Sequence, residues 1–139
     1  MSYKIIGKYI KELNFNIPNT KTFFLLSKDI KNYKIKIDIN SNKINQNVIE
    51  VLTSLTLSPV KNDFDEINTL IIFAAVIEIQ NDKIQNKELE NIILVDVPSK
   101  IYGDLRKIFI DLFEKSGFKD IKISEKVDFQ ELYKMRKVQ

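Results

Sequence analysis

Cysteine and histidine are absent from the 139 residues of the chain, and glycine and proline occur three times each. Without cysteine the chain forms no disulfide and has no thiolate nucleophile. Without histidine it lacks the usual general base and the commonest metal ligand. Catalysis would have to use carboxylates, lysines or hydroxyls alone. The composition therefore argues against an enzyme, and we expect neither a metal nor a cofactor.

Long apolar runs are missing as well. The most apolar stretch, from Leu70 to Ile79, has ten residues, whereas a membrane helix needs about 20. Lys4 and Lys8 interrupt the N-terminal segment, which has no apolar region of the length found in signal peptides. We expect a soluble, cytosolic protein that does not insert into membranes.

The chain has little arginine for its basic charge. Its formal net charge is +3, and Arg106 and Arg136 are the only arginines among 22 basic residues. Nucleic-acid sites favour arginine because its guanidinium binds bases and phosphates through two hydrogen bonds. The lysines are also spread along the whole chain. We therefore expect no nucleic-acid partner.

The first half of the chain has the period of β-strands. Segment 9–17 alternates up to Pro18, with Tyr9, Lys11, Leu13, Phe15 and Ile17 predicted on one face. Segments 34–40 and 48–58 alternate in the same way. Segment 68–80 is apolar on both faces, so we expect helices to cover one face and a neighbouring subunit the other.

The second half has the period of helices. Helical spacing begins in segment 88–95, and after Pro98 a broad apolar stripe recurs at intervals of three and four residues. Gly117 is placed to end this helix, and Asp128 to begin a short last one. Strands followed by helices predict a single α+β domain over residues 1–139 with an antiparallel sheet. The stripe consists of Leu105, Ile108, Phe109, Leu112 and Phe113.

One acidic run, Asp63, Asp65 and Glu66, has carboxylates close enough in sequence to suggest calcium. It lacks the glycine and the later glutamate of a calcium loop. A solvated hairpin tip between two strands is the better interpretation.

Several segments, read in order, resemble the SecB family of protein-export chaperones. Together they cover nearly the whole chain. They are Tyr9-Ile-Lys-Glu-Leu-Asn-Phe-Asn-Ile-Pro-Asn19, Ile35-Lys-Ile-Asp-Ile-Asn40, Val48-Ile-Glu-Val51, Pro98 to Arg106, Gly117-Phe118, and Val127-Asp-Phe-Gln-Glu-Leu-Tyr133.

The resemblance implies a four-stranded antiparallel sheet with helices packed on one face, assembling as a homotetramer that is a dimer of dimers. It also implies a holdase, which binds unfolded preproteins in apolar grooves without ATP and keeps them competent for export. The export motor SecA would be a further partner. Of the family's acidic motor-docking positions, Glu12 is retained, whereas Asn16 stands where a second carboxylate is common. The chain also departs from the family in Ala74-Ala75, where a glycine pair is usual, and in its basic charge.

These implications yield three sets of candidate residues. Glu12 is the predicted contact for SecA, and the stripe of the long helix is the predicted oligomer interface. We expect the groove for unfolded clients where the first two strands meet the last helix. The groove residues are Leu13, Phe15, Ile35, Ile37, Ile39, Phe129, Leu132 and Tyr133.

Two other functions stay open at this point. One is a SecB-like chaperone dedicated to a toxin–antitoxin partner, which the altered charge favours. The other is a carrier that holds a small molecule or lipid in the same apolar groove.

Overall fold

The computed structural model of the chain describes residues 2–28, 33–59, 68–118 and 123–138. Four strands form one antiparallel sheet, and the long helices follow it in sequence. The predicted α+β fold is confirmed. In chain order the elements are β1 (Tyr3–Asn16), α1 (Thr20–Lys28), β2 (Tyr33–Lys43), β3 (Val48–Pro59), β4 (Asn68–Ile79), α2 (Asn86–Asn91), a π-helical turn (Ile92–Asp96), α3 (Val97–Lys115) and α4 (Phe129–Val138).

The strands lie in the order β1-β4-β3-β2. The last strand in sequence therefore lies inside the sheet, and the first two strands form its opposite edges. The acidic run of Asp63, Asp65 and Glu66 lies outside the described residues.

The core lies between one face of the sheet and α3. In β3 and β4 alternate side chains point to this face, and Val51, Leu55 and Ile71 are fully buried. The alternation predicted for β2 and β3 is confirmed, since Ile37 pairs with Leu55 and both belong to the core side. On the core face of β4, Ile71, Ala75 and Ile77 are fully buried, whereas Leu70, Ile72 and Val76 on the other face are half-buried. The neighbouring subunit expected on that second face stays a prediction.

Strand β1 differs from the predicted pattern. It begins at Tyr3, and its register against β4 shifts between Ile5 and Gly7 and again between Ile10 and Glu12. Each shift inserts one residue, and an inserted residue turns the following side chains to the other face. Tyr9 consequently lies opposite Ala74, whereas Leu13 lies opposite Ile71 on the other face of β4. The expectation that Tyr9 and Leu13 share a face is wrong.

Helix α1 is an element that the sequence patterns did not predict. The side chain of Asn19 accepts a hydrogen bond from the backbone N–H of Thr22 at 2.8 Å, as a helix N-cap does. Leu26 of this helix is fully buried. The Pro18-Asn19 pair therefore starts a helix rather than only ending a strand.

The helical segment before Pro98 and the helix after it are continuous through the π-helical turn. Pro98 lies just after this turn, near the start of α3, and a proline cannot donate the backbone hydrogen bond that an α-helix forms at such a position. The hydroxyl of Tyr3 donates to Asp96 and accepts from Lys100 Nζ at 2.8 Å. This network joins the start of β1 to the start of α3.

The predicted ends of the last two helices are confirmed. Gly117 adopts a φ of 99°, and the N–H of Phe118 donates to the carbonyl of Phe113 at 3.0 Å, closing α3. At α4 the Asp128 carboxylate accepts from the N–H of Glu131 at 3.0 Å.

Candidate functional site: a cleft between β2 and α4

A cavity of about 570 Å³ lies between the free edge of β2 and helix α4. Four consecutive β2 residues, from Lys36 to Ile39, form one wall of this cavity. Leu132 and Met135 of α4 are 40% and 59% exposed. The lining residues are Lys36, Ile37, Asp38, Ile39, Leu94, Leu132, Tyr133, Met135 and Arg136. We call this space the β2–α4 cleft.

Helix α4 is held across the cleft by contacts at both of its ends. Near its start, Phe129 is 1% exposed and meets the ring of Tyr102 edge-on, with 6.0 Å between ring centroids. Near its end, Arg136 Nη1 donates to the backbone carbonyl of Ile39 at 3.3 Å. Between these two contacts the apolar side of the helix faces the cleft and is only partly covered.

Four of the eight residues predicted for the client groove line this cleft together: Ile37, Ile39, Leu132 and Tyr133. Ile35 is half-buried one step further along the same face of β2. Phe129 is 1% exposed and lies in the core, so its prediction as a groove residue is wrong.

Leu13 and Phe15 do not meet the other predicted groove residues. They belong to β1, and two strands separate β1 from β2, which corresponds to about 14 Å. The ring of Phe15 packs edge-on against Phe113 at 4.9 Å, whereas Leu13 is 41% exposed. The expectation that these two residues meet Ile35, Ile37 and Ile39 is wrong, because β1 and β2 form opposite edges of the sheet.

The sequence patterns missed five residues of the cleft: Lys36, Asp38, Leu94, Met135 and Arg136. Met135 follows Leu132 at helical spacing, which is a signal that could have identified it. Met side chains are flexible and polarizable and adapt to partners of different shape. Leu94 lies in the π-helical turn, whose position the sequence does not reveal.

The stripe of α3 is divided between two environments. Leu105, Phe109 and Phe113 are 0%, 1% and 0% exposed, so they are core residues of one subunit. Their prediction as an oligomer interface is wrong, because the sheet already covers that side of the helix. Ile108 and Leu112 are half-buried, and Ile108 lines a cavity of about 440 Å³ beside β1 with Phe73.

The face of the sheet away from α3 carries a polar network around Glu50. This carboxylate is 7% exposed and accepts from the Tyr9 hydroxyl, from Lys11 Nζ at 3.1 Å and from Asn42 Nδ2 at 3.3 Å. The hydrogen bond from Tyr9 lowers the pKa of Glu50 below its usual value, with smaller contributions from Lys11 and Asn42 and against the effect of desolvation. Three of the four strands are linked by this single side chain.

Glu12, the predicted contact for SecA, lies on that same face opposite Ile72. Its side chain is exposed, and within the described part of the chain it has no ion-pair partner. Glu12 is thus accessible to a partner, and its role stays a prediction. None of the described helices is long and apolar enough to cross a membrane.

The fold of the chain was compared with those of solved structures. It is similar to a SecB-like chaperone of Mycobacterium tuberculosis, solved in complex with a peptide from an antitoxin. The TM-score is 0.69 at 12% sequence identity, over 91% of this chain and 88% of that one. A four-stranded antiparallel sheet with helices of this kind is the SecB-like chaperone fold.

Sequence comparison then gives the family. The profile described as preprotein translocase subunit SecB matches residues 1–139. A protein of Pelagibacter ubique named as a protein-export protein SecB is 40% identical over 97% of this chain and 96% of its own length. The protein-export protein SecB of Burkholderia lata is 25% identical over 99% of this chain and 83% of its own. The chain belongs to the SecB family, a family of protein-export chaperones.

Proposed function

We propose that this chain is a holdase that binds unfolded preproteins in the β2–α4 cleft and keeps them competent for export. The observation that carries the proposal is the apolar wall of the cleft, in which Leu132 and Met135 remain 40% and 59% exposed. An unfolded chain can cover these side chains and remove them from water without any covalent chemistry. Family membership supports export as the pathway that such binding serves.

The proposal is tested by the aggregation of a slow-folding secretory precursor diluted from denaturant, with no nucleotide present. We expect the wild-type chain to suppress aggregation, and Leu132→Ser with Met135→Ser to suppress it less. Ile44→Ser is the matched control, because Ile44 is 57% exposed but does not line the cleft. Equal losses in the cleft variant and the Ile44 variant would place client binding elsewhere.

We also propose that the functional unit is a homotetramer, with strand β1 rather than the core side of α3 at an interface. Four large side chains of β1 are 41% to 48% exposed, which is unusual for one short segment of a monomer. They lie on both faces of an edge strand, where a second copy could cover them. They are Ile6, Tyr9, Ile10 and Leu13.

Light scattering tests this assembly at micromolar concentration. We expect a tetramer for the wild type and a smaller species for Ile10→Asp, because an unpaired charge would be buried at the interface. A wild-type monomer at that concentration would contradict the proposal.

A chaperone dedicated to an antitoxin is the second candidate, favoured by the antitoxin peptide bound to the M. tuberculosis neighbour. The relative of 40% identity is named for protein export, which favours export for this chain. Capturing the polypeptides bound in the native host distinguishes the two, since one predicts many secretory precursors and the other a single partner. A lipid or small molecule extracted with the purified protein would instead indicate a carrier.

A further inference from the structure

The free edge of β2 presents a regular set of backbone groups to the cleft. In an antiparallel pair, residues bonded to the partner strand alternate with residues whose N–H and C=O point away from it. The N–H of Ile44 donates to Val48 at 2.9 Å, which fixes this alternation through the β2–β3 pair. The hydroxyl of Ser54 donates to the carbonyl of Asp38 at 3.3 Å, which agrees with it. The backbone groups of Ile35, Ile37 and Ile39 therefore point to the free edge.

Along this edge the backbone groups of Ile39 are hydrogen-bonded, whereas those of Ile35 and Ile37 are not hydrogen-bonded to any described residue on the edge side. The N–H of Ile39 donates to Asp38 Oδ1 at 3.1 Å, and the carbonyl of Ile39 accepts from Arg136 at 3.3 Å. The backbone groups of Ile35 and Ile37 form no edge-side hydrogen bond with any residue that the structure describes. Asp38 and Arg136 thus end the open part of the edge at Ile39.

Charge at the cleft is unbalanced. Lys36 and Arg136 both line it, and neither forms an ion pair with a described carboxylate. The Asp38 carboxylate, which also lines the cleft and accepts from the N–H of Ile39, offsets only one of these two charges. The apolar wall therefore has a cationic rim with free capacity for an acidic partner.

We propose that an extended, carboxylate-bearing polypeptide segment binds this cleft by adding a fifth strand to β2. Its backbone pairs with Ile35 and Ile37, alternate apolar side chains enter the cleft, and its carboxylate lies against Lys36 and Arg136. Pairing ends at Ile39, where Asp38 and Arg136 already occupy the backbone groups. The inference rests on the proposed function and adds the conformation and charge of the segment that is bound.

The backbone part is tested with a fluorescent nine-residue peptide of alternating valine and threonine that carries one aspartate near its end. Each backbone amide is N-methylated in turn, and binding is measured by anisotropy. Two N-methyl groups two residues apart, on the amides that pair with Ile35 and Ile37, should each weaken binding roughly three- to tenfold, because each removes one hydrogen bond to the edge, and N-methyl groups at the other positions should have little effect. A flat profile would overturn strand addition, as would absence of binding by the parent peptide.

The charge part uses the same peptide with asparagine in place of aspartate. The wild type should bind the asparagine peptide about three- to fivefold more weakly, and this preference should be smaller in Arg136→Gln, in which Lys36 is the remaining cation at the cleft. Arg106→Gln is the matched control, because Arg106 also donates to a backbone carbonyl, that of Ile123 at 3.2 Å, but does not line the cleft. An unchanged preference for aspartate in Arg136→Gln would overturn the role of Arg136.

The same protein preparations separate this inference from the proposed function. Suppressed aggregation together with a flat N-methyl profile would support the holdase function and contradict strand addition. If the chain neither suppresses aggregation nor binds the parent peptide, both the holdase function and strand addition are contradicted. Arg136→Lys guards against a folding defect, since it keeps the charge and should keep the preference for aspartate.

Discussion

Replacing Phe113 with alanine should unfold the subunit before it dissociates any assembly. The ring is fully buried and contacts the rings of Phe15, Phe109 and Phe118 at centroid distances of 4.9, 4.7 and 5.4 Å. A buried Phe→Ala change costs about 3–5 kcal/mol through lost burial and the remaining cavity. Domains of this size are stable by only about 5–15 kcal/mol, so a large part of the total would be lost.

The assay is urea denaturation at fixed protein concentration, with light scattering at each point below the transition. Ile108→Ala is the control on the same helix, and because Ile108 is only half-buried it should cost about half as much or less. Fixed concentration matters because dissociation also shifts an unfolding transition. The reasoning would be refuted if Phe113→Ala kept the wild-type midpoint as a dissociated subunit, since Phe113 would then be an interface residue.

Three further predictions concern the open face of the sheet and the end of α3. Because the folded-state pKa of Glu50 is lowered from its ordinary value of 4.5, its stabilisation is present above that value and is lost as pH falls through the folded pKa. Urea midpoints should therefore fall more in the wild type than in Glu50→Gln between pH 6 and pH 3, and parallel curves would contradict this. If Glu12 contacts SecA, calorimetry should find salt-sensitive binding that Glu12→Lys weakens without changing the oligomer, whereas tight, salt-independent binding in that variant would indicate another surface. Gly117→Ala should lower stability by about 1 kcal/mol because alanine is strained at a φ of 99°, and an unchanged urea midpoint would show that the helix end relaxes.

The sequence predicted three of the four strands well, because β2, β3 and β4 keep one register over their full length. Strand β1 was predicted only in part, because its two register shifts arise from pairing with β4 and leave no period in the sequence. Segment 9–17 alternates over its own length, and the insertion at Lys11 that separates Tyr9 from Leu13 is a tertiary feature. Local periodicity describes a strand, whereas a bulge belongs to a pair of strands.

The candidate site was half predicted for a similar reason. Ile37, Ile39, Leu132 and Tyr133 were identified and meet in the cleft, whereas Leu13 and Phe15 lie at the far edge of the sheet. Alternation predicts which side chains share a face of one strand but contains no information on strand order. The sequence also could not show that the α3 stripe lies partly in the core and partly at the surface, because apolar residues occur in both environments.

The two edges of this sheet differ in a way that would separate the proposed assembly from the proposed client binding. Every open sheet has two edges with unpaired backbone groups, and each must be covered or blunted. Edge β1 exposes apolar side chains such as Ile10 and Leu13, which suits a partner of fixed shape such as a second copy. At edge β2, Arg136 donates to the backbone carbonyl of Ile39 and so blocks pairing there. The short helix α4 beside this edge exposes Leu132 and Met135, and such a surface suits variable partners. Because these edges lie on opposite sides of the sheet, assembly through β1 leaves the cleft of each subunit open, and a tetramer would carry four such clefts for one long client. Binding at several clefts raises avidity without requiring any one of them to be selective.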